Sequence, residues 1–252
     1  MLKIKIHSKS IVNFTGLTCI NVDNTTKYLQ KLFQYETTNS ENVLLIDGIN
    51  ISIKDCLIIS PLTKMETLYN FTAKSILNKM VNNYDWDINK ILNFNYLKNV
   101  ANDINSKIGV ELLNVNESPS KIFKSMLDVE NNQFIHPEQL YKFLKNSESA
   151  ERQTIILVDF DDISVAELFK YISNFNIIIL TNNAFDLVKS PEEVPLINFI
   201  DKNYKTLEFI ETQEIFRYFV EEYFQKDFDI IDVEHIFNKE FMENMKISIF
   251  LK

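Results

Sequence analysis

Apolar and polar positions change period along this chain, and the changes mark its elements. Near the start, Leu2–His7 and Thr18–Val22 cluster or alternate β-forming residues. Val43–Asp47, Asn50–Ile53 and Cys56–Ser60 follow at short spacing, which predicts a set of short strands. Asp47-Gly48 stands between two of these runs, and a two-residue turn with positive φ at both positions favours that pair. One short helix is predicted over Thr25–Gln34, where Tyr28, Leu29, Leu32 and Phe33 return to one face.

From Thr63 the period lengthens. Met65, Leu68, Tyr69, Thr72, Ala73, Ile76, Leu77 and Met80 predict a single amphipathic helix entered at Pro61. Asp87–Ile108 repeats the pattern, so a helical hairpin is expected, with shorter helices at Ser120–Asp128 and Pro137–Lys145. After a polar loop at Asn146–Gln153, Thr154–Phe160 is a continuous apolar run of the kind found in strands buried on both faces. Ser164–Ile172 is a predicted helix and Asn176–Leu180 a second buried strand, a β-α-β succession that implies a parallel pair with a right-handed crossover. A strand at Thr206–Ile210, a helix at Glu211–Phe224, and a helix and strand within Asp232–Lys252 complete the pattern. The expected fold class is α/β, with a discontinuous head from residues 1–61 and 147–252 and a helical insertion over 62–146.

Composition sharpens this picture. The chain has 252 residues, 46% hydrophobic, enough to bury a sizeable core, yet only 3 glycines and 5 prolines, too few for architectures rich in tight turns. Its net charge is −9, so whole-molecule attraction to nucleic acid or anionic lipid is not expected, and any polyanion site has to be local. Cys19 and Cys56 form neither a disulfide framework nor a zinc spacing, which fits a reduced, cytoplasmic protein. The N-terminal residues lack the apolar core of a secretion signal. No run approaches the ~18 apolar residues of a membrane span, so no membrane partner is expected.

Candidate chemistry is sparse. Ile155–Asp159, followed by Asp161 and Asp162, has the form of a strand whose terminal carboxylate holds Mg²⁺ beside a nucleotide. That chemistry also needs a glycine-rich phosphate loop, and the strand-to-helix joint expected to supply it, Ser60 to Thr67, has no glycine. The plainer role for Asp159 is to cap the following helix or turn. A metal-dependent nuclease needs convergent acids, but Asp47 is followed by Ser52-Ile53-Lys54, with serine where the second acid belongs. His7, His136 and His235 have no metal spacing, and no nucleophile motif is present. The balance therefore favours a binding module over an enzyme, and phage-defence nuclease or ATPase chemistry at Asp159, Asp161 and Asp162 is the alternative. Acids in the helical stretch, Asp103, Glu111, Glu117, Asp128 and Glu130, offer the hard oxygens that suit Ca²⁺, though such acids are more often simply solvated. Lysines of the same stretch, including Lys107, Lys121 and Lys124, suit either a phosphate backbone or a solvated helix face.

Several strings resemble one family, the DNA-end-binding accessory proteins of type II-A CRISPR adaptation. They are Leu45–Lys54, Leu57–Ser60, Phe123–Glu130, Leu140–Leu144 and Thr154–Phe160, and then Ser164–Ser173 followed by the strand Asn176–Leu180. The resemblance spans residues 2 to about 210 and carries no motif beyond Glu211. It implies a head related to ABC-type ATPases without their phosphate loop, and a helical leg. It also implies a homotetrameric ring that binds Ca²⁺ through leg acids and threads onto double-stranded DNA ends without sequence preference. Such rings serve spacer acquisition beside the CRISPR integrase complex and effector nuclease. By this resemblance Asp103, Glu111 and Glu117 are the expected calcium ligands, and Lys107, Lys121 and Lys124 the expected DNA contacts, with calcium offsetting the acids near the DNA.

Overall fold

The computed structural model describes residues 1–12, 14–72, 75–84, 92–115, 119–127, 129, 133–147, 152–187, 189, 191–200 and 204–206, together with 217, 220, 221, 225 and 227. The chain divides into two compact units, Met1–Thr63 with Ile135–Lys252, and Lys64–Phe134.

The first unit is mixed α/β and is built on two sheets. Its smaller, antiparallel sheet joins β1 (Leu2–Ile4), β3 (Leu44–Ile46) and β4 (Ile49–Ile51), in the order β1-β3-β4. The β3–β4 turn is Asp47-Gly48, with φ of 49° and 86°, the doubly positive geometry that this residue pair was expected to adopt. Its larger sheet is parallel throughout and holds β5 (Leu57–Ile59), β6 (Gln153–Val158), β7 (Phe175–Thr181), β2 (Leu17–Asn21) and β8 (Ile197–Phe199), in the order β5-β6-β7-β2-β8. The apolar runs of β6 and β7 thus occupy inner positions, as their lack of alternation requires.

Alternate residues of these strands serve opposite faces. Ile20, Ile156, Val158, Ile178 and Leu180 join Tyr28 and Leu32 of α1 (Thr25–Asn39) and Leu2, Ile4, Leu44 and Ile46 of the small sheet in one core. Ile155, Leu157, Ile177 and Ile179 are equally buried on the other face. Just before β2, Gly16 has φ +121°, a backbone conformation that side chains rarely adopt, which favours glycine there.

α1 is longer than its apolar stripe predicts because a carboxylate anchors its last turns. Glu36 is 8% exposed and accepts hydrogen bonds from the backbone N–H of Val43 (2.9 Å) and of Ile53 (2.8 Å) and from the Ser52 hydroxyl (2.7 Å). It thereby ties α1 to the start of β3 and to the 3₁₀ turn Ile53–Asp55. Burial pushes its pKa up, but these hydrogen bonds, with Lys54 nearby, outweigh burial and leave the carboxyl below its ordinary 4.5. Nearer the helix start, the buried imidazole of His7 shares a hydrogen bond with the Tyr28 hydroxyl through Nε2, while its Nδ1 has no partner.

α6 (Pro137–Asn146) and α7 (Val165–Phe169) follow the predicted patterns, α7 forming the crossover between β6 and β7; α8 (Ala184–Leu187) and a 3₁₀ segment at Pro191–Leu196 lead to β8. Thr206 makes an isolated bridge with Ile200; the strand expected at Thr206–Ile210 otherwise lies outside the described residues, as do nearly all of the helix at Glu211–Phe224 and the whole of Asp232–Lys252.

In the second unit, the single helix expected from Thr63 to Met80 is two, α2 (Met65–Leu68) and α3 (Ile76–Asn83). Asn70 interrupts it: its side-chain oxygen accepts from the Thr72 N–H (3.0 Å), and the Ser75 hydroxyl returns to the Asn70 carbonyl, giving the backbone a turn instead of a helix. α4 (Phe94–Ile108) starts at an Asn93 cap, later than the Asp87 predicted, and residues 85–91 lie outside the described set. α5 (Pro119–Met126) packs against α3.

Two acid-sensitive groups follow from this packing. Replacing Glu36 by alanine strands two buried N–H groups and is expected to destabilise the fold by about 2–4 kcal/mol in urea unfolding. Because the folded pKa of Glu36 is depressed, its stabilisation is complete above pH 4.5 and is lost as pH falls through the lower folded value. Burial also holds His7 down at about 4 against an ordinary 6.5, so its contribution is present above 6.5 and erodes as pH falls toward 4. The His7 share of this loss reaches about 3 kcal/mol. A His7→Gln variant is expected to unfold with a flatter pH dependence between these two values, measured by chemical denaturation at stepped pH.

Candidate functional site

The carboxyl ends of parallel strands are where α/β sheets place their ligands. Here that edge is assembled from the joint between β2 and α1, from the end of β6, and from the ends of β7 and β8. The joint is Val22-Asp23-Asn24, after which Thr25 begins α1. Asn24 has extended backbone (φ −149°), and its side-chain oxygen accepts from the Lys27 N–H at 2.7 Å, so the helix start is capped by its own chain.

Asp159, one residue past β6, has a φ of +52° and keeps its N–H on the Leu180 carbonyl at 3.0 Å. Its carboxylate accepts from the Thr25 hydroxyl at 2.7 Å. Asp159 is thus engaged at a helix start, but the helix is α1, 134 residues earlier, and not the helix that follows it. The joint beside Asp159 is accordingly that of β2 and α1. Ser60–Thr67, the joint singled out from sequence, follows β5 at the sheet's outer edge, separated from β7 and β2 by β6. Sequence patterning could not make this choice, because it does not say which strands are neighbours; the one available signal was the Asn24-Thr25 pair before the apolar stripe.

The β2–α1 joint is no better suited to phosphate than the other. It contains no glycine, and one of its N-terminal amides, the Lys27 N–H, is taken by the Asn24 side chain. A crevice of about 240 Å³ opens beside it, toward Ile200 and Tyr204; Asp23 lines it, and Lys27 is the one cation among its lining residues. Asp161 and Asp162 are exposed. Neighbouring polar contacts brace this edge: the Asn21 side chain accepts from the Ala184 N–H (2.9 Å), and Asn198 donates to Thr18 (2.9 Å).

The other candidate residues lie in the second unit. α4 ends at Gly109, whose N–H returns to the Asn105 carbonyl at 2.8 Å. The buried Asn105 side chain then holds the tail, donating to the Leu113 carbonyl and accepting from the N–H groups of Leu112 and Leu113. Asp103 and Lys107 are brought together as an exposed pair at 2.7 Å, one helical turn apart. Glu111 is exposed on the tail, and Glu117 lies outside the described residues. Lys121 and Lys124 sit three residues apart on α5 and share a face, the first exposed and the second half-buried. Among the described residues no group of three or more His, Cys, Asp or Glu side chains converges, and of the three expected calcium ligands only Asp103 and Glu111 are among those residues.

Charge is divided unevenly. Residues 64–134 hold eight lysines and eight acids, so the entire net charge of −9 falls on the remainder of the chain. Both cysteines are free, and burial pushes each thiol up to about 12. Among the described residues no helix is long and apolar enough to cross a membrane.

No protein-family model matches this chain, and no curated protein matches it. Among solved structures it is similar to the crystal structure of Stu0660 of Streptococcus thermophilus. The TM-score is 0.53 at 14% identity, over 99% of this chain and 84% of that one. At that identity the likeness is one of fold.

The contact between Thr25 and Asp159 links a helix start to a strand end far away in sequence. Thr25→Val is expected to lower stability by about 1–2 kcal/mol, since the carboxylate loses its donor, as read from urea midpoints at constant slope. Asp161→Asn, on an exposed residue, is expected to stay within about 0.5 kcal/mol of the parent.

Proposed function

We propose that this protein is a CRISPR-associated, non-catalytic protein that binds double-stranded DNA ends during spacer acquisition, as a homotetrameric ring. Its first unit corresponds in this reading to an ABC-ATPase-like head and its second to a helical leg. The observation that carries the reading is the β2–α1 joint. The strand order β5-β6-β7-β2-β8, a helix launched directly from β2, and a carboxylate at the end of β6 support the head of this reading. The joint where phosphate would lie has no glycine, caps one of its own amides through Asn24 and carries Asp23 beside Lys27. Such a head keeps the sheet and its packing without the phosphate chemistry.

The fold likeness over nearly the whole chain and the strings between Leu45 and Leu180 support the same assignment. DNA contact falls to the neutral second unit, because the rest of the chain repels a polyanion. Lys107, Lys121 and Lys124 meet backbone phosphates, which carry no sequence information, so binding is insensitive to sequence. A closed ring reaches duplex DNA only through a free end. Calcium is the ion assigned to the leg in this reading, and Asp103 and Glu111 alone do not form its cage. The CRISPR integrase complex and effector nuclease are the partners.

The test is a mobility shift with linear and covalently closed duplex of one sequence, in Ca²⁺ and in EDTA, beside a mass measurement of the free protein. A tetramer that shifts linear DNA alone is expected; equal binding to closed circles, or a monomer that binds neither, overturns the proposal. A Lys107→Ala, Lys121→Ala, Lys124→Ala variant is expected to weaken binding equally for all sequences. Its salt dependence flattens by about one unit for each phosphate that a lysine no longer neutralises.

A further inference from the structure

Two of the residues that wall the crevice beside the β2–α1 joint are tyrosines, Tyr28 and Tyr204, and a buried histidine stands behind them. Tyr28 lies against Tyr204, with ring centroids 6.3 Å apart, and against His7, at 5.7 Å. The Tyr28 hydroxyl and His7 Nε2 share a hydrogen bond. Ser8, next in the chain, grips residues 204–206 twice. Its N–H donates to the Tyr204 carbonyl and its hydroxyl accepts from the Thr206 N–H, both at 3.2 Å. Tyr204 has a φ of +61°, a region that a bulky side chain enters only when its surroundings hold it there. The conformation of 204–206 is therefore imposed by contacts, and the loss of those contacts lets it relax.

Closure leaves polar groups unmet. His7 is 7% exposed and its Nδ1 has no partner; Thr206 is 3% exposed and its hydroxyl has none. A neutral imidazole tolerates one idle nitrogen, but the protonated ring carries an N–H on both. The titratable groups that face it are phenols, Tyr28 from α1 and Tyr204 behind it, and both are uncharged in acid. Burial is the one cause that moves the His7 pKa, down to about 4, and no acid opposes it. A buried cation without a counter-charge moves into water, and when His7 moves, Ser8 moves with it. We propose that residues 204–206 are a latch on the crevice wall, and that protonation of His7 releases it while the parallel sheet stays folded. Opening hydrates His7 and the Thr206 hydroxyl together, frees Tyr204 from its left-handed backbone and uncovers Tyr28. The latch requires neither DNA nor an assembly.

The experiment is residue-resolved amide hydrogen exchange on the full-length parent, His7→Gln and Ser8→Ala, at stepped pH and corrected for the intrinsic exchange rate. The Ser8 and Thr206 amides are compared with those of β6 and β7. In the parent they are expected to be less protected than the strands at every pH. Their protection is also expected to fall about tenfold for each pH unit below 6.5 until pH nears 4. In His7→Gln, whose side chain does not titrate, the fall is expected to vanish. Ser8→Ala is expected to cut Thr206 protection at neutral pH and to keep the pH dependence. Ser8 and Thr206 amides of the parent as protected as β6 and β7 overturn the latch, since opening is then global unfolding. So does protection that ignores pH in the parent, a fall that persists in His7→Gln, or Thr206 protection unchanged in Ser8→Ala. The parent series alone decides the matter if a variant does not fold.

Discussion

β7 is buried at every one of its positions, and a parallel strand with no free face has to be covered from both sides. The rest of the first unit follows from that requirement. Parallel neighbours cannot be joined by tight turns, so each is reached by a crossover, and the crossovers supply the covering layers. On one face α1 and the small antiparallel sheet meet Ile178 and Leu180; on the other, Ile177 and Ile179 are buried as completely.

That arrangement makes α1 the element on which the sheet's functional edge depends, and polar contacts fix it at both ends. Thr25 holds the start to the end of β6, and Glu36 holds the last turns to β3 and the turn before β5. The Thr25 contact joins segments 134 residues apart and forms only once the sheet is assembled, whereas the Glu36 contacts close the short connection that follows the helix. The same contacts occupy what a phosphate site would need. One helix amide is capped by Asn24, the Thr25 hydroxyl is spent on a carboxylate, and the adjoining crevice carries Asp23 beside Lys27. This edge of the parallel sheet is thus held by the same polar groups that line it.

The second unit is governed by the opposite constraint. The first unit buries its apolar side chains within the chain, while Lys64–Phe134 leaves a helical stripe in solvent and is electrically neutral.

The amino-acid pattern by itself determined the α/β class, the buried character of the β6 and β7 runs, the Asp47-Gly48 turn and the helices at α1, α4, α5 and α6, because these depend on local periodicity and turn chemistry. It also excluded a glycine-rich phosphate loop, since that is a statement about composition. It misread Met65–Met80 as one helix, because Asn70 and Ser75 redirect the backbone through hydrogen bonds that an apolar stripe does not register. The site was legible only in part: Asp159 was visible as a strand-terminal carboxylate, but its partner Thr25 was not. Only the tertiary structure decided that β2 lies across β7 from β6 and that α1 rather than the next helix meets Asp159. Each of these is a matter of which surfaces meet, and periodicity fixes the face an element presents but not the neighbour it finds.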